Sequence, residues 1–359
     1  MALIDLFCCN GGFSLGAHRA GFGVAAAYDL DPILTSSYQK NLPNTDLKLG
    51  DISDLSGTAI RRQVGGKITG VFGGPPCQGF SSIGRRDPED PRRKLLGHFF
   101  RIVSELSPDF FIMENVKGLA YADARGELDG ALEWLGDRYR ILGPLILDAS
   151  DFGAATRRQR LFVIGTLRDA ADAISLEDIE SEKRPATTVR EAIADLSGAR
   201  RLVDGADGFD RWRLTQSVEA GTYAASLRNS ERLTTGHRQL DHRPEVALRF
   251  ASVPQGGIDA VGRHPRLAWD GQCPTLRAGT GSDKGSYQAV RPLHPSKPRV
   301  ITVREAARLQ GFPDAHQFHP TVWHSFRMIG NSVSPIIAEA LFKMMAAKYE
   351  NPTVRGLAA

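Results

Sequence analysis

The stretch Leu3-Ile-Asp-Leu-Phe-Cys-Cys-Asn-Gly-Gly-Phe-Ser14 begins with a short apolar run and continues through two glycines into a helical pattern. A strand followed by a glycine turn and a helix is typical of open α/β folds, where backbone amides of the turn approach a ligand. Glycine turns after strands are common, so this stretch alone does not define a function. It predicts that further strands alternate with helices along the chain.

That alternation continues to about residue 164. Apolar runs are predicted strands, and the amphipathic segments between them are predicted helices. The predicted strands are Leu3–Phe7, Val24–Tyr28, Leu47–Leu49, Ile68–Phe72, Phe110–Met113, Leu142–Leu147 and Leu161–Ile164. The predicted helices lie near Leu15–Ala20, Ile33–Lys40, Leu95–Leu106 and Leu128–Leu135. We therefore expect a parallel sheet that is covered by helices.

The composition of the chain excludes several classes of protein. Its 359 residues carry a net charge of +4, and 42% are hydrophobic and 24% charged, as in soluble globular proteins. No run of about 18 apolar residues appears, which argues against a membrane span. The four cysteines form neither a disulfide framework nor a Cys-x-x-Cys metal pair. The first seven residues contain neither a basic region nor a cleavable hydrophobic segment, so we expect no signal peptide. We expect a cytoplasmic protein that binds no metal.

The chain changes character near residue 196. From there to residue 298 Gly, Asp, Arg, Thr and Ser dominate, which indicates a second, irregular domain. Regular structure then resumes, because Thr302-Val-Arg-Glu305 is a capping box for a helix to about Gln310. Ser334-Pro335 opens another helix, to about Lys348. We predict a catalytic domain at 1–195, an inserted domain at 196–298, a return to the catalytic domain at 299–350 and a tail at 351–359.

A single thiol is presented by Gly73-Gly-Pro-Pro-Cys-Gln-Gly-Phe-Ser81, directly after the fourth predicted strand. Two glycines and two prolines fix an unusual backbone there, at the edge of the sheet where open α/β folds bind ligands. A cysteine on such a loop is more exposed than a structural cysteine of the core. The segment therefore predicts Cys77 as a nucleophile.

Two further segments bring charged residues to strand ends. Glu114 follows the apolar run Phe110–Met113 and is an acid–base candidate, with a helix cap as the alternative. Arg158 and Arg160 stand two apart, so an extended backbone places them on one face, where paired arginines suit a phosphate or a base carbonyl. A solvated basic strand end is the alternative for both.

Two aspartates outline a nucleoside pocket. Asp29 ends the second predicted strand, where an acidic residue of such folds takes ribose hydroxyls, and Asp51 follows the third. Taken alone, each of them is better explained as a turn residue or a helix cap. Only the combination with the glycine turn favours a nucleoside.

In this order the motifs resemble those of the DNA (cytosine-5-)-methyltransferase family, of the bacterial and phage restriction-modification type. The resemblance covers about residues 3–166 and 299–346, and the segments 299–314 and 330–333 correspond to the family's ninth and tenth motifs. The motifs that carry it are Asp5-Leu-Phe with Gly11-Gly-Phe13, Asp29-x-Asp31, Gly50-Asp-Ile52, Pro75-Pro-Cys-Gln78, Glu114-Asn-Val116, Arg158-x-Arg160, Arg299–Asp314 and Gly330-Asn-Ser-Val333.

The resemblance implies a Rossmann-like methyltransferase fold with a mostly parallel sheet, and a smaller target-recognition domain at 196–298. It implies S-adenosylmethionine as methyl donor, S-adenosylhomocysteine as product and double-stranded DNA as substrate, acted on by a monomer. Cys77 would attack C6 of a flipped-out cytosine while Glu114 hydrogen-bonds N3 and the amine, so that C5 takes the methyl group. Arg160 would hold the cytosine O2, and Arg158 would support the loop or a phosphate.

The resemblance also implies the remaining site residues. Phe7, Ile52 and Leu95 would contact the adenine, Asp29 the ribose and Asp51 the adenine amine, with Asn331 and Val333 near the methionine end. Gly11, Gly12 and Pro75 complete the cofactor set. The expected substrate contacts are Gln78, Ser81, Asn115 and Arg277.

Three positions depart from the family pattern. Cys9 stands where glycine is usual, Asp29 is shorter than the usual Glu, and Ala155-Thr156 replaces Pro-Gln. None of these removes the nucleophile. Two alternatives stay open: a tRNA cytosine-5 methyltransferase on the same frame, and a DNA-binding relative with impaired catalysis. A nicotinamide oxidoreductase is a third, although the glycine turn lacks its full spacing and Pro-Pro-Cys-Gln is unexplained.

Overall fold

The computed structural model describes residues 1–76, 94–170, 172–279 and 291–349, without the side chains of Ala122 and Asp123. The predicted nucleophile Cys77 and the predicted substrate residues Gln78 and Ser81 lie outside the described residues. No helix of the described ranges is long and apolar enough to cross a membrane.

One sheet of seven strands organises the fold. Its spatial order is β3-β2-β1-β4-β5-β7-β6, and all neighbouring pairs are parallel except those of β7, which runs antiparallel to both β5 and β6. The predicted mostly parallel sheet is confirmed, and each predicted strand is present. The strands are β1 (Ala2–Leu6), β2 (Gly23–Asp29), β3 (Asp46–Leu49), β4 (Ile68–Gly73), β5 (Phe110–Val116), β6 (Tyr139–Asp148) and β7 (Gln159–Leu167).

Helices connect and cover these strands. Those before residue 184 are α1 (Gly12–Arg19), α2 (Tyr38–Asn41), α3 (Gly57–Val64), α4 (Lys94–Leu106), α5 (Ala122–Leu132) and α6 (Leu176–Ser181). The predicted helix Ile33–Lys40 is wrong over residues 33–37, which form turns. The carboxylate of Asp31 accepts hydrogen bonds from the amides of Ile33 and Leu34, which makes a turn before α2 begins.

The sheet is buried because its central strands are apolar on both faces, as in parallel sheets generally. Every residue of β4 is buried, and α4 packs its apolar side against this part of the sheet. Phe99 and Phe100 of α4 meet Phe111 of β5 edge to face, with ring centroids 6.3 and 5.6 Å away. This core fixes the strand ends that carry the candidate site.

By its internal contacts the chain divides into two compact units. The first comprises Met1–Asp148, Gln159–Lys183 and the described part of Ile337–Ala359, and it contains the large sheet. The second comprises Ala149–Arg158 and Arg184–Ile336. The predicted domain scheme stays a prediction. Its limits differ from those of the units, because the second unit includes residues 299–336, which the scheme assigns to the catalytic domain.

The second unit has little regular structure, in keeping with its turn-rich sequence. A three-stranded antiparallel sheet is joined by short helices. The predicted capping box is present, since Thr302 and Glu305 bond each other's backbone amides at the start of α10. The elements are α7 (Val189–Ile193), β8 (Arg200–Arg201), β9 (Trp212–Arg213), α8 (Tyr223–Leu227), β10 (Leu233–Thr234), α9 (Pro244–Ser252), α10 (Val303–Leu309) and α11 (Val322–Asn331). The last helix of the chain, α12, spans Pro335–Tyr349.

Candidate active site

The turn between β1 and α1 has an unusual backbone. Phe7, Cys9 and Gly11 all have positive φ, at 63°, 48° and 84°. Left-handed φ favours glycine, which explains why glycine would suit the position of Cys9. A Cβ on Gly11 would also lie 2.6 Å from Cδ1 of Leu42. The first turn of α1 has neither a side-chain cap nor an acidic residue, so its amides suit a polar or anionic ligand.

Asp29 ties this turn to the end of β2. Its carboxylate accepts hydrogen bonds from the amide of Cys9 at 2.8 Å and the amide of Asp31 at 2.9 Å. Burial raises the pKa of Asp29, while these amide donors oppose the rise. The shorter Asp side chain therefore serves the turn itself. Cys9 takes part through its backbone amide, which any residue at that position would supply.

A buried polar chain lies beneath the same turn, and sequence reasoning missed two of its members. The hydroxyl of Ser14 donates to the carboxylate of Asp5, and it lies 2.8 Å from the hydroxyl of Tyr38. All three side chains are buried, and burial raises the pKa of Asp5 well above its usual range. The carboxyl inside an otherwise apolar β1 was the signal that could have revealed this chain.

The other predicted adenine contacts differ in exposure. Asp51 is exposed, and its carboxylate accepts the amide of Ser53 at 2.8 Å, an interaction that lowers the pKa of Asp51. Ile52 is buried in the same apolar cluster against which Phe7 packs, whereas Leu95 is half-buried. Their adenine contacts stay predictions.

An ion pair joins two neighbouring strands of the large sheet. Nε of Arg160, on β7, lies 2.9 Å from Oε1 of Glu114, on β5, and Glu114 is 8% exposed. The pair forms because Glu114 stands opposite Phe162 in the antiparallel register, two residues from Arg160. A Cβ on Gly74 would lie 2.9 Å from Oε2 of Glu114. The carboxylate therefore contacts the backbone three residues before Cys77.

Asn115 fixes the same segment from the other side. Its Nδ2 donates to the carbonyl of Pro75 at 3.1 Å, and its Oδ1 accepts the amide of Val116 at 2.8 Å. The side chain is 3% exposed. Its predicted substrate contact stays a prediction, while the observed bonds make it a support of the loop that leads to Cys77.

Arg158 belongs to the second unit and is 2% exposed. Its guanidinium donates to the backbone carbonyls of Leu276, Gly330 and Ser332 at 2.7–3.1 Å. The guanidinium is thus engaged with backbone carbonyls of its own unit, and the predicted role of Arg158 toward the loop or a phosphate stays a prediction. Arg158 and Arg160 thus have different partners, although they are two residues apart.

The residues that depart from the family pattern before Arg158 pair with another loop of this unit. The amide of Cys273 donates to the carbonyl of Ala155, and the amide of Arg157 donates to the carbonyl of Cys273, both at 2.8 Å. The hydroxyl of Thr156 also donates to the Cys273 carbonyl, at 3.1 Å. Of the other predicted residues in this unit, Arg277 and Asn331 are exposed and Val333 is buried.

The fold and the strand-end residues define an α/β protein of the methyltransferase kind. The family model for C-5 cytosine-specific DNA methylases matches residues 1–347, and the chain belongs to this family. Its sequence is 39% identical to the type II methyltransferase M.XorII of Xanthomonas oryzae pv. oryzae, over 98% of this chain and 86% of that protein. It is 30% identical to the type II methyltransferase M.DdeI of Desulfomicrobium norvegicum, over 98% and 90%.

A solved structure of a DNA modification methyltransferase encoded within an E. coli prophage superposes with a TM-score of 0.83. It is 37% identical and covers 97% of this chain and 99% of that one. The chain is thus a DNA methyltransferase with the Rossmann-like fold of its family, and DNA methylation is favoured over the RNA-acting, impaired and oxidoreductase alternatives. In the described ranges there is no group of three or more His, Cys, Asp or Glu residues that could hold a metal ion.

Proposed function

We propose that the protein is a DNA (cytosine-5-)-methyltransferase that modifies a specific site in duplex DNA, with Cys77 as nucleophile and S-adenosylmethionine as donor. The observation that carries this proposal is the buried contact of Glu114 with both Arg160 and the segment at Gly74. An acid and a cation beside the loop of a single thiol suit covalent addition to a base.

The proposed reaction begins when the Cys77 thiolate adds to C6 of the cytosine. The S–C6 bond forms, and the electron pair of the C5–C6 double bond moves toward C5. Glu114 accepts a hydrogen bond from the exocyclic amine and shares a proton with N3, which stabilises this charge. Arg160, held by Glu114 at 2.9 Å, is placed to donate to O2. After C5 is alkylated, a base removes the C5 proton and the C6–S bond breaks, returning the thiolate.

When bound, S-adenosylmethionine would supply a methyl group on a positively charged sulfur, whose S–CH3 bond breaks as the C5–CH3 bond forms, leaving neutral S-adenosylhomocysteine. The turn before α1 fits such a ligand. Because Gly11 and Gly12 have no side chains, a ligand can approach the backbone of the turn closely. The first turn of α1 also has amide donors without a side-chain cap. Phe7 is half-buried beside it and can contact a flat ring. We assign Asp29, Asp51, Ile52, Leu95 and Pro75 to the same ligand, with Asn331 and Val333 toward its methionine end.

Duplex DNA hides C5 and C6 in the base stack, so the cytosine must be flipped out, at a cost of a few kcal/mol. Residues 196–298 are proposed to recognise the target, with Arg277 among the DNA contacts. We further propose that the enzyme acts as a monomer in the bacterial cytoplasm.

The test is covalent trapping on duplex DNA that contains 5-fluorocytosine, with S-adenosylmethionine present. Fluorine at C5 cannot leave as a proton does, so the adduct through residue 77 should persist and survive denaturing electrophoresis. The duplex is chosen by bisulfite sequencing of DNA from cells that express the protein. Adduct formation should vanish in Cys77→Ser.

A matched control is Cys273→Ala, which removes a thiol that is buried in the second unit. This variant should still form the adduct and transfer methyl label. Label transfer that persists in Cys77→Ser, or methylation of tRNA in preference to duplex DNA, would overturn the proposal.

A further inference from the structure

The end of α11 is held by two side chains from distant parts of the sequence. Nη2 of Arg158 donates to the carbonyls of Gly330 and Ser332, at 2.9 and 2.7 Å. Nε2 of Gln310 donates to the carbonyls of Ile329 and Ser332, at 2.8 and 3.0 Å. The Ser332 carbonyl therefore accepts from both side chains, and all three of these carbonyls lie at the entry to the tenth motif.

These bonds matter because of where the helix ends. The last carbonyls of a helix have no partner within it, and a cation at that end is favoured by the helix dipole. Arg158 is 2% exposed and Gln310 is fully buried, so water cannot readily replace either donor. Ser334 adds a further link, since its hydroxyl donates to the carbonyl of Gln310 at 2.7 Å. The backbone from 329 to 334 is fixed by these contacts.

Arg158 also holds a second segment. Its Nη1 donates to the carbonyl of Leu276 at 3.1 Å, next to the exposed Arg277. The two segments touch backbone to backbone, because a Cβ on Gly330 would lie 2.3 Å from the amide nitrogen of Ala278. One guanidinium thus sets the spacing of both segments, whereas the side-chain amide of Gln310 contacts only the first.

We propose that Arg158 and Gln310 are positioning residues, which preset the backbone of the tenth motif for the methyl donor. Arg158 in addition presets residues 276–279 for DNA. This inference rests on the proposed function, which assigns Asn331 and Val333 to the donor and Arg277 to DNA. Gln310 was not among the site residues predicted from the sequence.

The test compares Arg158→Lys and Gln310→Met with a matched control, Arg266→Lys. Arg266 is also a buried arginine of the second unit whose guanidinium donates to carbonyls, those of Phe250, His294 and Pro295. Lysine keeps the charge, but its single nitrogen cannot span the two segments that Nη1 and Nη2 of Arg158 bond separately. Methionine removes the Nε2 donor of Gln310, whose Oε1 has no hydrogen-bond partner among the described residues.

Binding of S-adenosylhomocysteine is measured by calorimetry, and binding of a duplex that the wild type methylates is measured by fluorescence anisotropy. Arg158→Lys should weaken both about 10-fold, because charged hydrogen bonds to two segments are lost. Gln310→Met should weaken only the binding of S-adenosylhomocysteine, by about 5-fold. It should also raise the KM for the methyl donor, while kcat stays within about 2-fold of the wild-type value. Arg266→Lys should change the affinity for S-adenosylhomocysteine by no more than about 2-fold.

Equal affinities of Arg158→Lys and Arg266→Lys for S-adenosylhomocysteine, at matched thermal unfolding temperatures, would overturn the positioning role of Arg158. If Arg158→Lys does not fold, the Gln310→Met arm decides alone, and an unchanged KM for the donor overturns the proposal. A wild type that binds no S-adenosylhomocysteine overturns the proposed function instead.

Discussion

One histidine of the second unit, His294, should account for a large part of the change in folding stability with pH. Nδ1 of His294 accepts hydrogen bonds from the amides of Ser296 and Lys297, at 3.0 and 3.1 Å. These bonds need the neutral ring, because a protonated Nδ1 cannot accept. Burial lowers the pKa of His294 from 6.5 to about 4, although Glu305 opposes this. The side chain is only 7% exposed, so solvent screens the effect little.

The direction follows from this lowered pKa. The neutral ring of His294 favours the folded state above the unfolded pKa of 6.5, and this contribution is lost as the pH falls from 6.5 toward about 4. The difference between the folded and unfolded pKa values corresponds to about 3 kcal/mol of stability. About 1.8 kcal/mol of this is lost between pH 7 and pH 5. Glu305, whose pKa is lowered to about 2 chiefly by Arg299 against burial, titrates below this window.

The matched variant is His294→Asn, whose side-chain oxygen can accept the same two amides but does not titrate. The free energy of unfolding is measured in urea at pH 7 and pH 5 by tryptophan fluorescence. Trp269 is a suitable reporter, because its ring centroid lies 5.4 Å from that of His294. Wild type should lose about 1.8 kcal/mol more than the variant over this interval. The reasoning is refuted if the difference in free energy of unfolding between wild type and His294→Asn changes by less than about 0.5 kcal/mol from pH 7 to pH 5.

Three further outcomes are expected. Glu114→Gln should lower kcat for methylation of duplex DNA by about 100-fold or more, measured as methyl-label transfer, and an unchanged kcat would exclude Glu114 from the chemistry. Gly16→Ala should lower the free energy of unfolding in urea by about 2 kcal/mol, since its Cβ would lie 2.3 Å from Cβ of Ala338, whereas helix propensity alone predicts a gain. DNA affinity should fall about 10-fold or more between roughly 50 and 200 mM salt, and a flat anisotropy series would contradict phosphate contacts.

The central strands were predictable because each is a short apolar run between turn residues, and burial on both faces requires such runs. Shorter elements were not. Helix α3 has only Ile60 and Val64 as apolar residues on one face, too few for a periodic signal. The turn at Asp31 was not predicted. Its carboxylate accepts hydrogen bonds from the amides of Ile33 and Leu34, and such local side-chain bonds compete with helix formation.

The sequence was enough to predict Glu114 and Arg160 as candidate site residues, since both are charged residues at the ends of apolar runs. Their contact is a property of the antiparallel register and needed the structure. The partners of Arg158 lie more than 100 residues away along the chain. Gln310 is neutral and buried, so neither charge nor periodicity marks it.

The antiparallel strand β7 makes the contact between Glu114 and Arg160 sensitive to the register of the β5–β7 pair. Side chains of a strand alternate between the two faces of the sheet, so Glu114 and Arg160 meet because the offset between them in the β5–β7 pairing is an even number of residues. Losing or gaining one residue between Arg160 and Phe162 would turn Arg160 to the opposite face, whereas a change of two residues would keep the face and move the guanidinium along it. Length variation in the loop before Gln159 should therefore leave the contact between Glu114 and Arg160 intact, whereas single-residue insertions or deletions between Arg160 and Phe162 should abolish it.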